Sequence, residues 1–261
     1  MAPLQMIMPR ARRPRILICN DDGVYAPGIR ILAREMRRVA DVFVVAPTQN
    51  QSGVSHALTM TRPLRIRKID ERTYAVDGTP TDCITLAFHE ILVRRRPDFV
   101  VSGLNHGANM GEDVTYSGTV AAAFEGAIMG VPAVAASMTV HDPEGRSFRS
   151  AARFVRRVVS NLRGHLPPAT ILNLNFPKMP RGGYRSYQMT SLGRRAYTDI
   201  ISAKTDPSGR SYYWIGGEAT WDNDPATDSG AVSRGKVSIT PLRVDVTDHE
   251  LLASLLDWKL R

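Results

Sequence analysis

The feature of this sequence that most constrains its fold is a series of short apolar runs with no polar alternation: ILIC, VFVVA and FVVS. A strand with one face in water alternates apolar and polar residues, whereas a strand covered on both faces does not. Helical patterns separate the runs, in the βαβ order of a parallel sheet. The sequence therefore predicts an α/β fold: a doubly wound, mostly parallel sheet in three layers.

The expected elements follow the chain from residue 15. Strands are predicted at 15–19, 41–46, 64–69, 73–76, 98–102, 133–136, 170–174, 184–190 and 211–215, and helices at 28–39, 79–93, 117–129, 149–162 and 247–256. Thr79 and Asp82 are spaced as a capping box, because each side chain can bond the other residue's backbone N–H. Thr247 is predicted to cap the last helix in the same way.

The domain organisation is predicted to be simple. Residues 1–14 are basic and are expected to be a disordered extension, and residues 15–261 are expected to form one domain. Its core is predicted at about 15–175. From 176 to 261 the composition becomes more polar, and the strands at 184–190 and 211–215 can form a hairpin arm ahead of the terminal helix.

The composition limits the partners and the compartment. The net charge of +9 favours an anionic partner, but the arginine clusters carry no interleaved aromatic residues, so nucleic-acid binding is not expected. No apolar run reaches the roughly 18 residues of a membrane span, and no secretory h-region opens the chain. With only two cysteines, we expect reduced thiols and a cytoplasmic protein without membrane contact.

Two adjacent carboxylates end the first predicted strand, in the turn Asn20-Asp21-Asp22-Gly23. Asp21 and Asp22 repel each other unless a cation lies between them, which indicates a hard divalent ion. An Asp in such a turn also commonly caps the next helix. Taken alone, the turn leaves both interpretations open.

Polar residues follow two further strands at the same predicted edge of the sheet. Ser52 follows the second strand and offers a hydroxyl, and Asn105 follows the strand at 98–102 and offers a carbonyl oxygen. Each also has a plain turn interpretation. An all-oxygen set with only two charges suits Mg²⁺ or Mn²⁺ better than zinc.

The segment Ser117-Gly118-Thr119 opens a helix of small residues. A helix N-terminus presents free N–H groups and a positive dipole end, so it is suited to binding phosphate. The alternative is a simple N-cap. His106 is a further candidate, for acid–base chemistry.

Four motifs together resemble the SurE family of metal-dependent 5′-nucleotidases: NDDGVYAPGI, APTQNQSG, GTPTDC and SGLNHGANMGEDVTYSGTVAAAFEG. They occur in the family's order and spacing from about residue 15 to 137, and the resemblance is loose after about 175. It implies a Rossmann-like core and a homodimer or homotetramer built with the C-terminal arm and terminal helix. It also implies one divalent metal ion per subunit, Mg²⁺ or Mn²⁺.

The resemblance further implies particular roles for residues of this chain. It places Asp21, Asp22, Ser52 and Asn105 on the metal, and Asn109, Ser117, Gly118 and Thr119 around the phosphate. The expected reaction is hydrolysis of nucleoside 5′-monophosphates by a metal-activated water, with 3′-nucleotides and short polyphosphate as further substrates of the family. A general base role for Asp21 or Asp22 is also open.

Three rival classes fit the residues less well. A receiver domain needs a phospho-accepting Asp and a Lys, but the later strand leads to Asn105 and no Lys lies between Lys68 and Lys178. A dinucleotide-binding oxidoreductase needs Gly-x-Gly-x-x-Gly after the first strand. A noncatalytic nucleotide- or nucleic-acid-binding protein stays open as the alternative.

Overall fold

The structure is a computed structural model that describes residues 13–139, 145–162, 167, 169–198, 201–215, 218–222, 224–256 and 258. Disorder is predicted for the extension at 1–14. Its first twelve residues lie outside the described residues, and only its last two positions are described. Among the described residues no helix is long and apolar enough to cross a membrane.

The described chain contains strands and helices in the alternating order predicted. The strands are β1 (Arg15–Cys19), β2 (Asp41–Pro47), β3 (Ile66–Asp70), β4 (Thr73–Val76), β5 (Phe99–His106), β6 (Ala133–Met138), β7 (Ile171–Phe176), β8 (Tyr187–Met189), β9 (Arg195–Thr198), β10 (Ile201–Thr205), β11 (Ser211–Ile215), β12 (Glu218–Trp221) and β13 (Val237–Leu242). The helices are α1 (Pro27–Met36), α2 (Pro80–Leu86), α3 (Gly118–Ile128), α4 (Arg146–Leu162), α5 (Asp228–Ser233) and α6 (His249–Leu255).

The central sheet has the order β3-β4-β2-β1-β5-β6-β7-β13-β8. From β4 to β7 all pairs are parallel, whereas β3 and β13 run antiparallel to their neighbours β4 and β7. Helices α1 and α4 pack against each other, α2 packs against α3, and both pairs contact the central strands. The predicted three-layer α/β fold is therefore confirmed, and the unalternated runs are the buried central strands.

Strand β5 is longer than predicted, because it continues through the segment expected to be a loop. Asn105 and His106 pair with Ser137 and Met138 of β6, after a register shift that follows Gly103. Gly103 lies at φ +128°, and a Cβ there would come 2.3 Å from the Ala136 carbonyl oxygen. The irregularity at Gly103, which only glycine permits, thus allows β5 to continue through the segment that contains Asn105 and His106.

The predicted capping box is confirmed at the start of α2. The Thr79 hydroxyl accepts from the Asp82 backbone N–H at 3.1 Å, and Asp82 Oδ2 accepts from the Thr79 N–H at 2.9 Å. The single helix predicted to residue 93 is wrong in its second half, because α2 ends at Leu86 and a π-helical turn, Ala87–Ile91, follows.

Two expectations for the C-terminal region are wrong. The strand expected at 184–190 is β8, which pairs with β13 in the central sheet, whereas β11 pairs with its neighbour β10. A short turn closes the β10–β11 hairpin, so that pairing has the smaller loop entropy. The cap of α6 is Asp248, which accepts from the Leu251 N–H at 2.9 Å, and not Thr247.

Candidate metal and phosphate site

The polar residues predicted from strand ends meet at one edge of the sheet. β1 lies between β2 and β5, and the chain leaves β1 in one direction to form β2 and returns on the other side as β5. This reversal of strand order is the place where open α/β sheets bind ligands. Asp21 and Asp22 follow β1, Ser52 follows β2, and Asn105 lies near the end of β5.

Asp21 is buried and is held from α3. Its Oδ1 accepts from the Thr119 hydroxyl at 2.5 Å and its Oδ2 from the Thr119 backbone N–H at 3.1 Å. Burial raises the pKa of the Asp21 carboxyl above its ordinary value, while the bonds from Thr119 act in the opposite direction. The orientation of this carboxylate is therefore fixed by the first turn of a helix 98 residues away in sequence.

Asp22 is half-buried beside it. Burial and the neighbouring Asp21 charge raise the pKa of Asp22 to about 6, against a weak bond from the His106 backbone N–H at 3.4 Å. Two carboxylates in this position carry an electrostatic cost that a bound cation removes. The pair has the character of a cation site.

The turn that carries the two carboxylates is tied to the loop after β2. The Gln51 N–H donates to the Asp21 carbonyl at 2.7 Å, and the Val24 N–H donates to the Pro47 carbonyl at 2.8 Å. Asn20 closes the turn internally by donating to the Gly23 carbonyl at 3.0 Å. These bonds bring the segment containing Ser52 next to the carboxylates.

Ser52 and Asn105 differ in how firmly they are held. Ser52 is exposed, and its hydroxyl donates to the Asn50 side-chain oxygen at 2.6 Å. Asn105 is buried, and its amide nitrogen donates to the Gly107 carbonyl at 2.9 Å. That bond fixes the amide so that its oxygen is the atom able to bind a cation.

The donor set fits a hard divalent cation. The part of the chain that the structure describes contains no group of three or more His, Cys, Asp or Glu side chains suited to a metal. Two carboxylates, one amide oxygen and one hydroxyl are instead the oxygen ligands that Mg²⁺ and Mn²⁺ accept.

The N-terminus of α3 faces this site, and most of its first backbone N–H groups already have a hydrogen-bond acceptor. Ser117 caps the helix by accepting from the Val120 N–H at 3.1 Å, and Thr119 gives its N–H to Asp21. Among the described residues the Gly118 N–H has no partner. A Cβ at Gly118 would come 2.9 Å from Asp21 Cβ, so only glycine leaves room between this turn and Asp21.

Asn109 is fixed by polar residues that the sequence analysis did not identify. Its side chain donates to the Ser137 hydroxyl at 2.7 Å, and its carbonyl accepts from the amides of Asn173 and Asn175. Asn175 also accepts from the Asn109 N–H at 2.8 Å. The signal in the sequence was the pair of asparagines in ILNLNF, an otherwise apolar buried strand.

A second pairing missed from the sequence fastens the loop after Ser52. His56 Nε2 lies 2.9 Å from the buried carboxylate of Glu125 on α3, which also accepts from the Thr85 hydroxyl at 3.1 Å. Ser55 donates its hydroxyl to the Thr115 carbonyl at 2.6 Å. This loop therefore packs along α3, the helix that also positions Asp21.

His106, considered above for acid–base chemistry, is placed beside Asp22 by its backbone. Its ring packs edge-on against Phe148 of α4 at 4.7 Å between centroids. The contact with Phe148 makes the ring part of the packing between β5 and α4.

Comparison with known proteins gives a consistent result. The family model described as survival protein SurE matches residues 16–199. The 5′-nucleotidase SurE of Geobacter metallireducens is 49% identical over 94% of this chain and 97% of its own length. That of Vibrio cholerae is 46% identical over 94% and 97%. A solved structure, the SurE protein from Aquifex aeolicus, superposes with a TM-score of 0.82 at 41% identity, covering 93% of this chain and 98% of that one.

Proposed function

Because the chain belongs to the SurE family, we propose a working arrangement for its nucleotidase site. The protein is a 5′-nucleotidase, a phosphatase that acts on nucleotides. It hydrolyses nucleoside 5′-monophosphates to nucleoside and phosphate, and its family implies that it depends on a divalent metal. The noncatalytic alternative is not favoured. The observation that supports the arrangement is the contact between Asp21 and the first turn of α3, by which a proposed metal-binding carboxylate adjoins a helix N-terminus.

Asp21, Asp22, Asn105 and Ser52 would hold one Mg²⁺ or Mn²⁺ ion per subunit. Asp21 and Asn105 are the ligands that the fold orients most firmly, since both are buried and hydrogen-bonded. Ser52 is exposed and bonded to Asn50, so we assign it the most adaptable position. A bound divalent ion supplies charge neutralisation at the phosphate and a lowered pKa for a water molecule.

The substrate phosphate would lie against the start of α3. The Gly118 N–H is the helix donor without a partner among the described residues, and both Asn109 and Ser117 precede it in the chain. Thr119 stays a phosphate-site residue in this proposal, but both of its donors engage Asp21. Its contribution would be to hold that carboxylate in position as a metal ligand next to the phosphate.

The reaction is the hydrolysis of a phosphate ester. The oxygen of a water molecule forms a bond to phosphorus, the bond from phosphorus to the nucleoside oxygen breaks, and that oxygen takes up a proton. Asp21 or Asp22 can orient the water and accept its proton. Asn109, held by Ser137 and Asn175, would keep the phosphate in line for the attack.

We also propose a homodimer or homotetramer in the cytoplasm. No residue of α6 is buried, although the helix carries Leu251, Leu252 and Leu255. The β10–β11 hairpin likewise exposes Tyr213, Trp214 and Ile215. Apolar surfaces of this kind favour association between subunits. Cys19 and Cys83 are buried and free, which suits a reducing compartment.

A phosphate-release assay tests the proposed reaction. AMP, GMP, CMP, UMP, 3′-AMP and short polyphosphate are each incubated with Mg²⁺ or Mn²⁺, with and without chelator. We expect release from 5′-monophosphates that chelator abolishes and added metal restores. If release from every nucleoside monophosphate is absent, or is unaffected by chelator, the metal-dependent reaction proposed here is excluded.

A further inference from the structure

A basic groove runs along α1 next to the nucleotidase site. We call it the arginine groove, and the residues that matter in its lining are Tyr25, Arg30, Arg34, Arg37, Ile69 and Asp70. Its volume is about 410 Å³. The groove lies between α1 and the sheet edge formed by β3 and β4. Neither the metal ligands nor the phosphate-site residues line it, so the mechanism above leaves it unused.

Three arginines form a row on one side of the groove. Arg30 and Arg34 lie at positions i and i+4 of α1, and Arg37 is its C-cap at i+7. This spacing places the three on one helix face over about 10 Å of its axis. All three are exposed. Arg30 and Arg34 have no carboxylate within ion-pair distance in the described chain, whereas Arg38, just beyond the helix, pairs with Glu35 of α1 at 3.1 Å. Arg37 interacts electrostatically with Asp70, so the unneutralised charge in the row is that of Arg30 and Arg34.

An aromatic platform stands at one end of this row. Tyr25 is 57% exposed. Its hydroxyl accepts from Arg67 of β3 at 2.8 Å, and the guanidinium carbon of Arg67 lies 6.0 Å from its ring centroid. The sequence shows no aromatic residue among the clustered arginines, but the fold brings one beside them. An exposed ring with basic residues along a groove is the arrangement that binds single-stranded nucleic acid.

The platform is continuous with the site where the phosphate is cleaved. Tyr25 is three residues beyond Asp22, so their Cα atoms are at most about 11 Å apart. The remaining charge in the lining is Asp70, which accepts from the Arg72 N–H at 2.8 Å. With Arg67 on the rim, four cations face one carboxylate. The groove therefore attracts an anion longer than a mononucleotide.

We propose that the arginine groove binds the phosphodiester backbone of a short single-stranded oligonucleotide whose terminal 5′-phosphate lies in the nucleotidase site. Tyr25 stacks on a base, and Arg30, Arg34 and Arg37 contact successive phosphates. A row of about 10 Å spans about three of the 3.4 Å axial steps between phosphates along one strand of a duplex, which leaves room for three phosphates. The inference rests on the proposed function for its reaction, which is again hydrolysis of the terminal phosphate ester, and adds a substrate class to it.

The test compares AMP with a 5′-phosphorylated tetranucleotide, which has three internal phosphodiesters. Phosphate release is measured at 50 and 200 mM salt for the wild-type enzyme, Arg30→Gln/Arg34→Gln and Tyr25→Leu. At low salt, the wild type is expected to show a KM for the tetranucleotide at least about tenfold below its KM for AMP. Between 50 and 200 mM salt, its affinity for the tetranucleotide should fall about 18-fold more than its affinity for AMP, from a slope of roughly −0.7 for each of three phosphate contacts. The double variant should lose most of both effects.

The matched control is Arg94→Gln/Arg96→Gln, which removes the same charge from exposed residues after the π-helical turn. It should behave as the wild type. Tyr25→Leu should weaken binding of the tetranucleotide at least about fivefold, but it should not weaken binding of an analogue with abasic positions. Equal KM values for AMP and the tetranucleotide in wild type, or equal losses in the two double variants, would overturn the proposal.

A direct binding measurement separates this proposal from the proposed reaction. Fluorescence anisotropy of a labelled tetranucleotide reports occupancy of the groove without turnover. Tight, Arg30- and Arg34-dependent binding without any phosphate release would contradict the nucleotidase mechanism alone. Release from AMP with no such binding would contradict the groove alone. Equal binding of tripolyphosphate and the tetranucleotide, insensitive to Tyr25→Leu, would overturn the assignment to oligonucleotides.

Discussion

Thr119 donates both its hydroxyl and its backbone N–H to the two carboxylate oxygens of Asp21, at 2.5 and 3.1 Å. One residue thus links the helix that would receive the phosphate to the strand end that would receive the metal. Since Thr119 is fully buried and both of its donors bond to Asp21, we propose that its role is to position Asp21. Activity should then depend on the hydroxyl of Thr119 more than stability does.

The first prediction concerns that hydroxyl. Thr119→Val keeps the shape of the side chain and removes one donor to Asp21, so we expect kcat/KM for AMP to fall about 10–100-fold, as for partners of metal ligands. Isothermal titration with Mn²⁺ should show a matching loss of affinity. Thr119→Ser keeps the hydroxyl and should stay within a few-fold of wild type. Equal activities in the Val and Ser variants would contradict the positioning role.

The second prediction concerns the carboxylates themselves. Asp21→Asn and Asp22→Asn should each reduce kcat by at least about 100-fold at saturating Mn²⁺, because each removes a charged ligand. Neither removes core volume, and Asp22→Asn should leave the unfolding temperature without metal unchanged. Asp21→Asn also replaces one of the two oxygens that accept from Thr119, so its unfolding temperature should fall somewhat. The increase in unfolding temperature that Mn²⁺ produces in wild type should disappear. Glu90→Gln, an exposed change of the same charge, is the control, and wild-type turnover in either Asp variant would refute the metal assignment.

The third prediction tests the close approach at Gly118. Gly118→Ala would place a Cβ 2.9 Å from Asp21 Cβ and 3.1 Å from its Oδ2, so the carboxylate must move. A displacement of this kind costs on the order of 100-fold in turnover. Ser117→Ala is the comparison for stability only, because Ser117 is itself proposed to lie at the phosphate: it removes the cap at a cost of about 1 kcal/mol. If Gly118→Ala retains wild-type kcat, the phosphate turn is less constrained than the structure indicates.

The sequence was sufficient wherever the determinants are local. The unalternated apolar runs predict β1, β2 and β5, because a strand that is buried on both faces has apolar residues throughout. The box formed by Thr79 and Asp82 is readable because both partners lie within four residues. Asp21 and Asp22 could be placed at a ligand-binding edge because that edge follows from strand order alone.

The remainder depends on contacts between distant segments. The bonds between Thr119 and Asp21 span 98 residues, and those from Asn109 to Asn175 span 66, so no local pattern predicts them. The same holds for β8, whose partner β13 lies some 50 residues later. Tyr25 and Arg67 are 42 residues apart and meet only because β3 pairs with β4 in the central sheet. The sequence predicted candidate site residues, while the fold determined which of them form hydrogen bonds with one another.

The fourth prediction concerns the capping box as a structural element. Asp82 accepts from the Thr59 N–H at 2.9 Å, the Thr59 hydroxyl at 2.6 Å and the Thr79 N–H at 2.9 Å. Asp82→Ala leaves these donors unpaired, so we expect a loss of about 2–3 kcal/mol in the free energy of unfolding, measured with urea. Thr79→Ser keeps its hydroxyl and should lose well under 1 kcal/mol. If Asp82→Ala left the free energy of unfolding unchanged, water would have to replace all three hydrogen bonds.

The fifth prediction concerns association through α6. Leu252 and Leu255 are 49% and 42% exposed, and they lie on one face of a helix with no buried residue. Leu252→Asp/Leu255→Asp should therefore reduce the mass measured by light scattering toward that of one chain, 28.8 kDa, because charge is placed in an apolar interface. Ala253→Asp/Ser254→Asp adds the same charge to the same helix and serves as the control. If the wild type is itself one chain at micromolar concentration, or if both double variants dissociate alike, the exposed leucines are not the contact between subunits.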